Sequence, residues 1–310
     1  MITNNDFKNL WIEKYRPKKF EDLILNKEDK DYFLSLKEKS EIPHLLFSGP
    51  AGIGKTSLAK IVVSDILDCQ YLYINASAEN GIDTIRNKVN GFAQTKSFDG
   101  KLKVVLCDEA DAISNDAQKA LRNVIEEFAT NTRFVFTCNY LYKISAPLQS
   151  RCQAVNLNPP IDEIVQRVVF ILKSENIQIP DSEKGKLVGL IKNYYPDIRS
   201  IIGNVQKFSH NGVLAIRENK AKGIATTIFK KIQEGCGPTS IREYTIEREQ
   251  EFSSDYLNLL KELFELYFKS ELDEPTKASK MLEIAEAMYR DSIVIDKEIN
   301  WFSCILKIIK

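Results

Sequence analysis

Gly49-Pro50-Ala51-Gly52-Ile53-Gly54-Lys55-Thr56 carries the clearest chemistry in the chain, because it fits G-x-x-x-x-G-K-[ST], the phosphate-binding P-loop. Glycines at 49, 52 and 54 allow backbone angles that a side chain forbids, so consecutive N–H groups can turn onto phosphate oxygens. Lys55 would reach the β- and γ-phosphates of a nucleotide, and the Thr56 hydroxyl would ligate Mg²⁺. A glycine-rich turn with a chance lysine is the alternative. The flanks decide against it: Leu45-Leu46-Phe47-Ser48 reads as a buried strand, and Ser57 to Val63 as a helix whose positive end faces the loop.

A second constellation follows. Lys103 to Cys107 is an apolar strand that ends in Asp108-Glu109-Ala110-Asp111. Asp108 is placed to hold Mg²⁺, directly or through water, and Glu109 to orient and polarise an attacking water. An acid-rich helix start is the competing reading. Asn139 closes another apolar strand, Arg133 to Cys138, where it could hold that water or open a turn. Gln118 and Arg122 lie four apart on one face of a predicted helix over 116–127, where a surface hydrogen bond would also account for them. Arg151 follows the sheet's chemistry and reads either as a surface arginine or as a group aimed at a neighbouring subunit. Arg199 sits in the first turn of a predicted helix, a place that disfavours a cation and so suggests an anionic partner.

The elements that must position these residues come from pattern. The chain has 310 residues, too many for one ordinary core, so two or three domains are expected. Lys+Arg and Asp+Glu balance at 43 each, which excludes a globally basic nucleic-acid binder. Cys69, Cys107, Cys138, Cys152, Cys236 and Cys304 form no CxxC pair and read as free thiols in a reducing compartment. The polar start Met1-Ile2-Thr3-Asn4-Asn5-Asp6 has no signal-peptide core, and no apolar run has membrane-spanning length, so a soluble intracellular protein is expected. Leu10 to Pro17 places Trp11, Tyr15, Arg16 and Pro17 ahead of the P-loop; the patch either packs on a nucleotide base or anchors a surface segment. Helices are expected over 27–40 and 82–92, the latter carrying Arg86, with a turn at Ser97-Phe98-Asp99-Gly100. Asn158-Pro159-Pro160 is the strongest linker, and beyond it only helices are expected.

Taken together, Lys14-Tyr15-Arg16-Pro17, Gly49 to Thr56, Asp108 to Asp111, Asn139, Ser150-Arg151-Cys152 and Pro196-Asp197-Ile198-Arg199 resemble the sliding-clamp-loader family of AAA+ ATPases. Within it the chain looks like the small subunits of replication factor C, and most like the ATPase subunits of T4-like bacteriophages. The resemblance covers nearly the whole chain. It implies an α/β P-loop NTPase domain with a parallel sheet (1–158), a small helical lid domain (159–222) and an all-α collar for oligomerisation (223–310). It implies ATP and Mg²⁺ as cofactors, held by Tyr15, Arg16, Pro17, Gly49, Pro50, Gly52, Ile53, Gly54, Lys55, Thr56, Ser57 and Arg199, with Thr56 and Asp108 on the metal. Catalysis would fall to Lys55, Asp108, Glu109, the sensors Asn139 and Arg199, and Arg151 as an arginine finger supplied to a neighbour. Gln118 and Arg122 would couple DNA to the ATP site, and Arg86 with the helix starts near Ile82 and Ser114 would face duplex phosphates, although Glu79-Asn80-Gly81 stands where relatives often carry basic residues.

The expected function is that of a clamp-loader ATPase subunit acting in DNA replication. Its expected partners are further loader subunits in a spiral hetero-oligomer with several copies of this chain, a sliding clamp and primer–template DNA, with no membrane, in the cytoplasm of a cell or phage host. The competing expectations are another AAA+ motor, such as a branch-migration helicase or protein remodeller, and a scaffold subunit that binds nucleotide without hydrolysis. Lys55 and Glu109, both present, argue against the scaffold.

Overall fold

The computed structural model describes residues 10–309 except 40–41, 96, 98–99 and 217–219; the side chains of 37–39 and 84–86 also fall outside the description. The turn expected at 97–100 therefore lies partly outside the described residues. The chain divides into two compact units, Met1–Ile216 and Arg217–Lys310.

The first unit opens with a short helix α1 (Trp11–Lys14) and the amphipathic helix α2 (Lys27–Lys39). A five-stranded sheet follows, built from β1 (Leu45–Ser48), β2 (Tyr71–Asn75), β3 (Lys103–Asp108), β4 (Thr132–Cys138) and β5 (Gln153–Asn156). The strand order is β2-β3-β4-β1-β5, and every pairing is parallel. Between the strands run α3 (Lys55–Ile61) with a π turn at Val62–Ile66, then α4 (Ile82–Thr84), a π turn and α5 (Asn90–Gln94), then α6 (Asn115–Glu127) and α7 (Ala146–Gln149). Strand alternation sends Leu45, Phe47, Val104, Leu106 and Val135 to a core beneath α2 and α3. Leu46, Val105, Cys107, Phe134 and Phe136 go to a second core against α6. Covering both faces is what makes β1, β3 and β4 continuous apolar runs in the sequence. The edge strand β5 is mostly exposed, carries no such run, and was not expected.

Three helices, α8 (Ile161–Ser174), α9 (Asp181–Tyr194) and α10 (Ile198–Lys207), pack around Ile164, Ile171, Leu187, Ile191 and Ile201, with Trp11 buried among them. The expectation of helices alone beyond residue 160 is corrected here. Strands β6 (Ser209–His210) and β7 (Val213–Leu214) pair as a hairpin. Asn211 and Gly212 between them both have positive φ, +52° and +77°. Asn-Gly at the centre of a two-residue turn matches the right-handed strand twist, and that local signal outweighs the surrounding helical texture.

The second unit is helical throughout its described residues: α11 (Ala221–Gln233), α12 (Pro238–Glu247), α13 (Tyr256–Phe268), α14 (Glu274–Asp291) and α15 (Lys297–Ile309). Its core gathers Phe252, Leu259, Leu263, Ile284 and Trp301. No described helix is long and apolar enough to cross a membrane.

Two contacts in the first unit carry consequences for stability. His44 Nδ1 accepts a hydrogen bond from Phe134 N–H at 3.1 Å, and burial, with Arg133 nearby, pushes its pKa down to about 4. The neutral ring is therefore favoured in the folded state, while the unfolded chain takes up a proton near pH 6.5. The stabilisation is complete above pH 6.5 and is lost as pH falls towards 4. Urea unfolding measured across that window should show a shallower acid loss for His44→Gln than for the wild type.

The second contact joins the P-loop to α10. A Cβ on Gly52, whose φ is +76°, would sit 1.8 Å from Asp197 Oδ1, the side chain that caps α10 by accepting from Ser200 N–H at 2.9 Å. Gly52→Ala should cost about 1–3 kcal/mol in chemical unfolding, the range for a side chain forced into the left-handed region. It should also weaken binding of a fluorescent adenine nucleotide.

Candidate functional site

The P-loop leaves β1 at Ser48 and enters α3 through Gly54, whose φ of +99° turns the chain into the helix. Lys55, 8% exposed, donates to the Gly49 and Pro50 carbonyls at 2.8 and 2.7 Å and to Asn139 Oδ1 at 2.8 Å. Burial lowers its pKa, while Asp111 and Asp108 pull the other way and Arg199 adds to the fall. Asn139 reaches Lys55 because β4 lies directly beside β1, with Cys138 in register with Ser48.

Asp108 ends β3 and is 4% exposed. Its Oδ1 accepts from Thr56 Oγ1 at 2.9 Å and from Thr137 Oγ1 at 2.6 Å, and its Oδ2 accepts from the Tyr73 hydroxyl at 3.0 Å. Burial and the neighbouring carboxylate push the Tyr73 pKa up to about 12, so the phenol stays a donor at neutral pH. Thr137 Oγ1 in turn accepts from Glu109 N–H at 3.0 Å. Glu109 has φ +56°, a strained setting for a residue other than glycine. Its exposed carboxylate accepts from the Ser77 hydroxyl.

Ile12, Tyr15, Arg16 and Pro17, Ala51 to Thr56 of the P-loop, Glu109, Thr137, Asn139, Ile198, Arg199 and Ile202 line one cleft, and Gly49 and Pro50 line a second hollow that shares Ala51 and Asn139. Arg199 N–H donates to the Gly52 carbonyl at 3.3 Å. The two readings of the N-terminal patch prove compatible. Trp11 is buried, its N–H donating to Gln206 at 3.0 Å, and Tyr15 donates to Glu175 at 2.6 Å. Thus anchored on α8 and α10, the segment presents Tyr15 to Pro17 to the cleft, where Arg16 Nε donates to Ser57 at 3.4 Å.

The remaining predicted residues lie elsewhere. Arg151 is not among the residues lining the cleft; its guanidinium pairs with Glu126 and donates to the Pro147 carbonyl at 2.6 Å. Gln118 is 2% exposed, which rules out a surface hydrogen bond with Arg122. Its amide donates to the Ile113 and Lys143 carbonyls at 3.2 and 3.0 Å and accepts from Ser145 N–H at 2.8 Å. Arg122 is half-buried one turn further along α6. Arg86 has its backbone in the π turn after α4, and its side chain lies outside the described residues. Sequence reading missed Tyr73, Ser77 and Thr137; the available signal was strand alternation, which puts Tyr71 and Tyr73 on one face of β2.

The residues present suit a Mg²⁺–nucleotide. The loop's N–H groups and the start of α3 favour a phosphate. Thr56 and Asp108 supply the few hard oxygen donors that Mg²⁺ takes from a protein when phosphates and water complete its shell.

Residues 45–160 match the AAA family, described as ATPases associated with various cellular activities, and residues 160–216 match the AAA+ ATPase lid domain of the sliding-clamp-loader large subunit. The chain is 39% identical over 213 residues to the replication factor C small subunit of Saccharolobus solfataricus, covering 67% of this chain and 64% of that protein. It is 38% identical over 203 residues to that of Methanocella arvoryzae, covering 64% and 62% respectively. These matches thus span just under two thirds of those relatives. With the small subunit of Natronomonas pharaonis the match is 32% over 295 residues, covering 91% of this chain and 90% of that one. A RuvB structure from Thermotoga maritima shares the fold, with a TM-score of 0.54 at 16% identity over 94% of this chain and 90% of that one. With P-loop residues, Glu109 and the lid arginine Arg199 lining one cleft, Asp108 bonded to Thr56, and near full-length similarity to one such subunit, the chain belongs to the replication factor C small-subunit family of AAA+ ATPases.

Proposed function

We propose that this chain is an ATP-hydrolysing subunit of a sliding-clamp loader, and that its site is completed by a second subunit. One observation carries the reading: Lys55, Thr56, Asn139 and Arg199 line one cleft with Asp108 bonded to Thr56, whereas Arg151 is held by Glu126 outside it. Bound Mg²⁺ would neutralise charge on the phosphate oxygens. Lys55 and the loop's N–H groups position the phosphates. Glu109 accepts a proton from an attacking water that Asn139 helps to orient. Arg199 reaches the γ-phosphate from the lid side, and Arg151 stabilises the developing charge in a neighbour's site.

ATP-driven closure of such an assembly would open a clamp and grip primer–template DNA, and hydrolysis would release the loaded clamp. Gln118 supports a coupling role, because it ties the start of α6 to the loop after Asn139 through two hydrogen bonds, to Lys143 and Ser145. Arg86, Arg122 and the helix starts at Ile82 and Ser114 are the proposed DNA-facing groups. Separate cores for the sheet and for α8–α10 support a boundary near residue 158, and the helical second unit suits an oligomerising collar. A cytoplasmic setting accords with the free thiols. The narrower kinship with T4-like bacteriophage loaders rests on the motifs alone; the three relatives described above are archaeal.

ATPase assays with and without partner subunits, clamp and primer–template DNA test this reading. Low turnover is expected for the isolated chain and stimulation by the partners. Arg151→Ala should lose about 10³-fold in stimulated turnover, the scale of an arginine finger, and keep its nucleotide affinity. Full activity in a monomeric Arg151→Ala protein would refute the shared site. Lys55→Ala should abolish nucleotide binding itself, measured by fluorescence titration.

A further inference from the structure

Tyr73 has no part in the reading above, yet it touches its central acid. It stands on β2, the edge strand, in register with Leu106 of β3, and its hydroxyl reaches forward to Asp108 Oδ2 at 3.0 Å. The ring is fixed from the other side by Lys60 of α3, whose Nζ lies 4.4 Å from the ring centroid. Lys60 follows Thr56 by one helical turn, so a single side chain braces the helix that carries Thr56 against the strand that carries Asp108.

The hydrogen bonds around that carboxylate are unequal. Oδ1 receives two hydroxyls, from Thr56 and Thr137, whereas Oδ2 receives Tyr73 alone among the described residues. Asp108 is 4% exposed and Tyr73 39%, so in the folded chain the phenol, and not bulk water, is what Oδ2 meets. A carboxylate with one oxygen tied and the other free can rotate about its Cβ–Cγ bond; tying both oxygens sets the plane of the group. A metal's partner needs that plane to be fixed, because outer partners orient the groups that face the ion.

We propose that Tyr73 is a positioning residue for the divalent cation: its hydroxyl locks the Asp108 carboxylate in the plane that presents Oδ1, beside Thr56 Oγ1, to a Mg²⁺–nucleotide. The inference rests on the nucleotide reading above and adds a residue to it. It also separates two functions of the cleft. Nucleotide contacts come from the P-loop, the N-terminal segment and the lid, whereas the Tyr73 hydroxyl donates to Asp108, so its loss acts first on the groups that face the metal.

The test is Tyr73→Phe, which keeps the ring and its contact with Lys60. Binding of a fluorescent adenine nucleotide is measured in EDTA and across a Mg²⁺ titration, and turnover of the assembled loader across the same titration. The expected result is unchanged affinity in EDTA, a Mg²⁺ midpoint raised about 10-fold, and turnover largely restored at saturating Mg²⁺. In an Asp108→Asn background the same substitution should have no further effect, because its action passes through the carboxylate. An unmoved Mg²⁺ midpoint overturns the proposal, as does an equal loss of affinity with and without the metal. If the wild-type chain binds no adenine nucleotide with or without Mg²⁺, the nucleotide reading fails, and that outcome is visible before any variant is compared.

Discussion

The interaction on which the rest of the structure depends is the burial of two charges, the Lys55 ammonium at the start of α3 and the Asp108 carboxylate at the end of β3, at 8% and 4% exposure. A buried charge is tolerated only when polar groups replace the water it loses. Here the replacements come from different elements. Lys55 is satisfied by the P-loop carbonyls and by Asn139 after β4. Asp108 is satisfied by hydroxyls from α3, β4 and β2. Those bonds are possible because β4 lies between β1 and β3, so the strand order and the charges support each other.

The same logic extends to the lid helices. Gly52 lets the P-loop backbone pass against Asp197 at the start of α10, and the Gly52 carbonyl takes the Arg199 N–H. A change in loop geometry is therefore felt at the helix that carries the lid arginine. The N-terminal segment adds a second link, buried by Trp11 among the lid helices and bonded to α3 through Arg16 and Ser57. The cleft is thus bounded by three pieces of chain that are bonded to one another. Such a cleft suits a motor that converts the presence of a nucleotide into a change of shape.

Arg151 shows the complementary economy. Within its own chain the Arg151 guanidinium is held by Glu126 and the Pro147 carbonyl, contacts that the proposed action on another chain's nucleotide would have to replace. Its partial exposure keeps the pair weak enough to exchange for a stronger anion.

The amino-acid sequence alone determined the chemistry of the cleft, because that chemistry is local. Glycine spacing, a lysine and threonine at a helix start, and acids closing an apolar run need no knowledge of neighbours, and strands covered on both faces announce themselves as unbroken apolar segments. The family motifs added Arg151 and Arg199, whose roles composition leaves open. Tertiary structure decided what depends on pairing across strands. That Tyr73 and Thr137 meet Asp108 follows from the register of β2, β3 and β4. That Gln118 is a buried tie follows from the packing of the loop after Asn139. The edge strand β5 was invisible because three of its four residues are exposed, and the hairpin at 209–214 was missed although Asn211-Gly212 announced it. Register and packing join residues distant in the chain, and no window of sequence contains both partners of such a contact.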